Sequence, residues 1–158
     1  MLASITAYGI GAFLHVLAVV VALGVTFAYP FMGATAAKLD PRTLPTVHRT
    51  VQTIDRFLIT PGLVVILLSG LYTVEEGNIE YGESWVSVGM TAIIVLFAMQ
   101  HAFFVPNNRK GLEMIERDLE AGGEPSAEYV ALSQKVARMG QLATLIVVVT
   151  IFFMTVKP

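Results

Sequence analysis

Four stretches of the chain carry no charged side chain: residues 1–37, 57–74, 84–108 and 139–156. Each is as long as the roughly 17–25 apolar residues that a membrane-crossing helix needs. The pattern predicts four transmembrane helices in a single domain, with spans of roughly 5–33, 57–75, 85–105 and 138–156. Between them the pattern becomes amphipathic. Val47, Val51, Ile54 and Leu58 recur at helical spacing, with His48, Arg49, Gln52, Asp55 and Arg56 on the other side. Leu112, Ile115 and Leu119 form another apolar stripe, interrupted by Gly122-Gly123-Glu124-Pro125; Ser126 stands where the last helix needs an N-cap. Residues 107–137 therefore read as a helical hairpin, with Leu132, Val136 and Met139 packing on Leu112, Ile115 and Leu119. The first helix, about Ser4 to Ala37, exceeds one crossing, and Pro30 and Gly33 are the expected places for a break. Asp40-Pro41 favours a turn, Pro45 suits a first helical turn, and Pro61-Gly62 is expected to kink the second helix.

Composition agrees with this reading. Of 158 residues, 55% are hydrophobic and 14% charged, against about 25% charged in an average soluble domain. The absence of cysteine removes disulfides, thiol chemistry and Cys-based zinc sites. The N-terminus has no basic region leading into an apolar signal, so a cleaved signal peptide is not expected. Nine of the ten basic residues lie in two segments: Lys38, Arg42, Arg49 and Arg56, then Arg109, Lys110, Arg117, Lys135 and Arg138. The intervening turn carries Glu75, Glu76, Glu80 and Glu83, bracketed by Tyr72, Tyr81 and Trp85. The positive-inside rule then places the basic segments in the cytoplasm, with both termini and the acidic turn outside a bacterial inner membrane.

Lipid is as apolar as leucine, so small and polar residues mark buried helix faces. Gly11, His15, Ala18, Ala22, Thr26 and Tyr29 form one such stripe on the first helix. Ser87, Thr91, Ile94, Ala98 and His101 form a second on the third helix. Gly62, Ser69 and Thr73 mark the second helix, and Gly140, Thr144 and Thr155 the fourth. The fold expected is all-α: an antiparallel four-helix bundle, half in lipid, with cytoplasmic helical extensions.

An ionisable side chain inside a span is costly there and marks a candidate site. His15 and His101 both fall on the inward stripes, whereas His48 reads as a solvated surface residue. Each buried imidazole is either an axial haem ligand, His15 also being the metal candidate, or a hydrogen-bonded strut between helices. A single haem held by both is disfavoured by depth, since they lie roughly 14–21 Å apart along the membrane normal at 1.5 Å per residue. Copper would need His15 or His101 with Met90, Met99 or Met154, but no Met-x-x-x-Met pair flanks a histidine. The span centres hold no Asp or Glu, which weakens a metal or small-solute transporter; Asp55 and Arg56 sit at the cytoplasmic edge. No nucleophile–His–acid set, phosphate loop or nucleic-acid patch stands out. Arg49, Arg56, Arg109 and Lys110 suit lipid phosphates at the inner leaflet.

The segments "FLHVLAVVVALG", "DRFLITPG" and "SGLY", with the four-helix layout, resemble an uncharacterised family of predicted bacterial integral membrane proteins over most of the chain. That family is distantly similar to the HemJ-type protoporphyrinogen oxidases and the CopD-type copper-resistance proteins. The HemJ resemblance implies that His15 corresponds to a first-helix histidine associated with b-type haem. The HemJ type has a tryptophan soon after that histidine and a Pro-Arg pair at the helix end; here the stretches read "VLAVVVALG" and "AYPFMG". The resemblance therefore does not carry the oxidase activity. The expected function is a small membrane protein that binds haem b through His15 or supports a redox complex. The alternatives are a cofactor-free structural or accessory subunit, working as a homo-oligomer or in a larger membrane complex, and a transporter.

Overall fold

The computed structural model describes residues 6–36 and 38–158. Among them the chain forms four long helices, α1 (Ala7–Ala36), α2 (Pro41–Glu76), α3 (Ser84–Ala121) and α4 (Ala127–Val156), and no strand. Side-chain oxygens start three of them by accepting otherwise orphaned backbone N–H groups. Thr6 accepts from Gly9 N at 3.1 Å, Asp40 from Arg42 N at 2.9 Å and Ser126 from Tyr129 N at 3.3 Å. The expected start of the first helix at Ser4, and its end at Ala37, lie outside the described residues.

At 1.5 Å per residue these helices are roughly 45–57 Å long, against a hydrocarbon core of about 30 Å. The excess of α2, α3 and α4 gathers at one end, the hairpin end. There Met114, Ile115 and Tyr129 form a small core with Leu44, Leu112, Leu119 and Leu132. Leu132 packs as its spacing predicts. Val136 and Met139 fall outside this core, whose α4 members are Tyr129 and Leu132. A second core lies in the membrane half and draws on all four helices: Ala22, Ile59, Leu63, Ile66, Ile93, Leu96 and Val147. Phe13, Val20 and Phe31 on α1, Phe57 and Leu68 on α2, Ile94 on α3 and Leu145 and Phe152 on α4 point outward and are exposed. Such a belt would drive aggregation in water and is matched by lipid.

Small residues set the closest helix contact. A side-chain carbon on Gly62 would collide with the Ala22 Cβ, and one on Gly11 would come within 2.7 Å of the Tyr72 ring and 2.9 Å of the Thr73 hydroxyl. The α1 stripe thus faces α2 as the sequence predicts. The α3 stripe does not: Ser87, Thr91, Ile94, Ala98 and His101 are all exposed, and α3 buries Val86, Gly89, Ala92, Ile93, Leu96 and Gln100 instead. The hydroxyls explain the difference. Thr91 donates to its own helix at Ser87 O (2.8 Å) and Ser87 donates to Tyr81 O (3.2 Å). A hydroxyl bonded to its local backbone has no need of the interior.

Three helices depart from α geometry beside a proline. A wide π turn runs over Asp55–Ile59 before Pro61 and another over Gln100–Phe104 before Pro106. In α1 a π turn at Val19–Leu23 and a tight 3₁₀ turn at Val25–Ala28 precede Pro30. Proline has no N–H to give the carbonyl four residues back and its ring crowds that carbonyl, so the preceding turn opens. The irregularity in α1 therefore lies before Pro30, and Gly33 sits in regular helix.

The opposite, acidic end is closed by the turn from α2 to α3. Tyr81 donates to Glu75, and this hydrogen bond to a carboxylate pushes the phenol above its ordinary range. The Lys157 ammonium lies 4.5 Å from the centre of the Trp85 ring.

Candidate functional site

Polar side chains collect at three depths along the bundle. The first centres on His15 of α1. Its Nδ1 lies 2.9 Å from Ile66 O of α2, and the Ser69 hydroxyl is 3.4 Å away. A carbonyl only accepts, so Nδ1 carries the proton and Nε2 keeps its lone pair. Nε2 has no hydrogen-bond partner among the described residues. Gly70 makes room for the ring, since a Cβ there would sit 3.0 Å from His15 Cε1.

The second depth centres on Asp55, which is only 5% exposed. The Tyr29 hydroxyl of α1 donates to its Oδ1 at 3.4 Å. Gln100 of α3, 6% exposed, brings its amide up to the carboxylate, and His101 lies within electrostatic reach. Both π turns begin at this cluster. Thr60 N reaches back to Asp55 O and Val105 N to Gln100 O, each spanning five residues. Gln52, one turn before Asp55, and Gln100 each bury an Nε2 with no hydrogen-bond partner. Arg56 lies away from the cluster, with its guanidinium 5.5 Å from the Phe57 ring centre. Among the described residues Asp55 forms no ion pair.

The third depth centres on His48, which is not the solvated surface residue its sequence position suggests. One ring nitrogen meets the Asn108 side-chain oxygen on α3 and the other lies 2.9 Å from the Tyr129 hydroxyl on α4. Asn108 also donates to His48 O at 3.2 Å. Gly111 permits this, because a Cβ there would lie 2.8 Å from the His48 ring. The pairing ties three helices at the base of the hairpin.

His15 and His101 do not converge. Along α2, His15 bonds at Ile66, whereas His101 follows Gln100 at the depth of Asp55, eleven residues away, which is roughly 16 Å. His101 is also turned outward against the Phe97 ring, 4.4 Å between centroids, rather than into the bundle as its stripe implies. Among the described residues no group of three or more His, Asp or Glu side chains is placed to hold a metal ion. Of the basic residues expected at lipid phosphates, Arg49 pairs with Glu116 at 2.7 Å and Lys110 with Glu128 at 3.6 Å, while Arg56 and Arg109 are exposed.

The Asp55–Tyr29–Gln100 cluster escapes a reading by composition, because Asp55 stands on the polar side of an amphipathic helix. A signal exists nonetheless. "DRFLITP" and "QHAFFVP" each place a polar residue six positions before a proline, and those two residues meet.

An all-helical chain with four helices long and apolar enough to span a bilayer, an outward apolar belt and inward polar groups is a polytopic integral membrane protein. The chain belongs to the family described as "Predicted integral membrane protein (DUF2269)", whose profile matches residues 10–158. No curated protein and no solved structure matches it.

Proposed function

We propose that this membrane protein binds haem b through His15 Nε2 and serves a membrane redox system. The observation that carries the reading is the His15–Ile66 hydrogen bond. Metal-ligating histidines commonly give their second ring N–H to a carbonyl or carboxylate, which fixes the tautomer and turns the other nitrogen toward the metal. The residues would suit one histidine ligand to such a group: Nδ1–H is engaged, Nε2 is unpaired among the described residues, and the Ser69 hydroxyl lies 3.4 Å from Nδ1. The other transmembrane-half imidazole, His101, is too far along the bundle to share the iron. When bound, haem supplies one-electron transfer. The chain's own part is to fix the imidazole and to surround it with the apolar α1–α2 surface.

A second reading rests on Gly70. Its bare backbone lets the His15 ring lie against α2, which also suits a strut of an accessory subunit without a cofactor; such bonds in membrane proteins average about 0.6 kcal/mol. The absorption spectrum of the purified protein, expressed with haem supplied and read with and without dithionite, separates the two. The haem reading expects a Soret band that shifts on reduction and is lost in His15→Ala. A strut gives no Soret band and a modest drop in thermal stability in the same variant. A band that survives the substitution unchanged removes His15 as the ligand. We place the basic hairpin end in the cytoplasm of a bacterial inner membrane, on the charge asymmetry of the loops.

A further inference from the structure

We propose that Asp55, with Tyr29 and Gln100, forms a proton-binding site at the hairpin side of the bundle. The site is independent of any cofactor at His15.

Three observations converge. The carboxylate is buried between three helices and has no ion-pair partner among the described residues. An unpaired buried carboxylate is expensive as an anion, and the expense falls away when it takes up a proton. Next, Gln100 is 94% buried, faces the carboxylate, and its Nε2 is unpartnered. An amide offers a carbonyl to a protonated carboxyl and an N–H to an ionised one, so it serves both states of Asp55. Then, the wide turns of α2 and α3 begin at Asp55 and at Gln100 themselves. Such turns recur at functional sites because they re-aim side chains and loosen the backbone ladder.

The groups around Asp55 are the Tyr29 phenol from α1 and Gln100 from α3, with His101 of α3 within electrostatic reach; Gln52 and Arg56 are its neighbours on α2. The exchange balances simply. A hydronium ion gives its proton to the Asp55 carboxylate, leaving water and a neutral carboxyl, and ionisation returns the proton to water. The oxygens of Asp55 and Tyr29 would also suit a monovalent cation. One carboxylate and one phenol offer fewer oxygens than the roughly six that hard cations commonly take, which favours the proton.

Infrared difference spectra of the full-length protein in liposomes test this, stepping between about pH 4 and 10, where carboxyl and imidazole groups titrate. The expected result is a protonated-carboxyl band that is lost in the isosteric Asp55→Asn. Its pH midpoint should move in Tyr29→Phe and in Gln100→Ala. Absence of any Asp55-dependent band across that range overturns the proposal. So does a band that sodium or potassium abolishes at constant pH, which would make the site a cation site. Tyr29→Phe and Gln100→Ala keep the test open should Asp55→Asn fail to fold: an unmoved midpoint in both would equally overturn it.

Discussion

At the scale of single residues, the glycines separate contacts that hold the helices from contacts that merely fill space. Gly62 meets the Cβ of Ala22, an atom fixed to the α1 backbone, so an added methyl must push α1 and α2 apart. Gly89 meets the terminal methyl of Met154, which a rotamer change can withdraw. Gly140 has nothing within 4 Å of the position a Cβ would take. Gly62→Ala should therefore lower stability by about 1–3 kcal/mol, as overpacking does. Gly89→Ala should cost much less, and Gly140→Ala close to nothing. Thermal unfolding of the three variants in one detergent checks the order, and a Gly62→Ala as stable as Gly140→Ala would contradict the packing. The same scale shows what the sequence hides. His48 reads as solvated because its neighbours Arg49 and Gln52 are polar, yet its partners Asn108, Gly111 and Tyr129 are 60 or more residues away. Spacing along one helix carries no trace of such distant neighbours.

At the scale of elements, the hairpin that joins α3 to α4 is held by one carboxylate. Asp118 Oδ2 accepts from Ser126 N at 2.8 Å, its Oδ1 takes Arg117 at 3.2 Å, and its backbone carbonyl accepts from Gly123 N at 3.2 Å. Gly123 turns the chain in the left-handed region at φ 94°, where L side chains are strained. Asp118→Ala should cost about 0.5–2 kcal/mol, the range for losing a capping side chain. It should also speed proteolytic nicking at Gly122–Gly123 while leaving the membrane half intact. Limited proteolysis resolves this, and cleavage elsewhere at the same rate would show that the tip is not what Asp118 holds. The tip, the Ser126 cap and the four helices were legible, because charge gaps, glycine pairs and caps are local. The wide turns were only half legible. Proline announces that a ladder must open, but not that the turns of two helices would open at the same depth around Asp55 and Gln100. That alignment comes from the packing of α2 on α3.

At the scale of the whole molecule, the two ends differ in chemistry, and the difference decides how the bundle sits in a bilayer. The hairpin end carries nearly all the basic residues, including the exposed Arg56 and Arg109. The acidic end carries Glu75, Glu76, Glu80 and Glu83 with Tyr72, Tyr81 and Trp85. Orientation then follows from the basic loops alone, since acidic residues contribute little to the rule. It also determines which compartment lies nearer Asp55, because that residue sits in the hairpin half of α2. Single cysteines at Glu80 and at Glu124, both exposed and on opposite ends, report it directly in a chain without native thiols. In intact cells a membrane-impermeant maleimide should label the Glu80 position and reach the Glu124 position only after the membrane is opened. Labelling at Glu124 alone would invert the molecule and make the outer aqueous phase the one nearer Asp55. Equal labelling at both would mean that the four helices do not all cross, and the outward apolar belt would then need a protein partner rather than lipid to cover it.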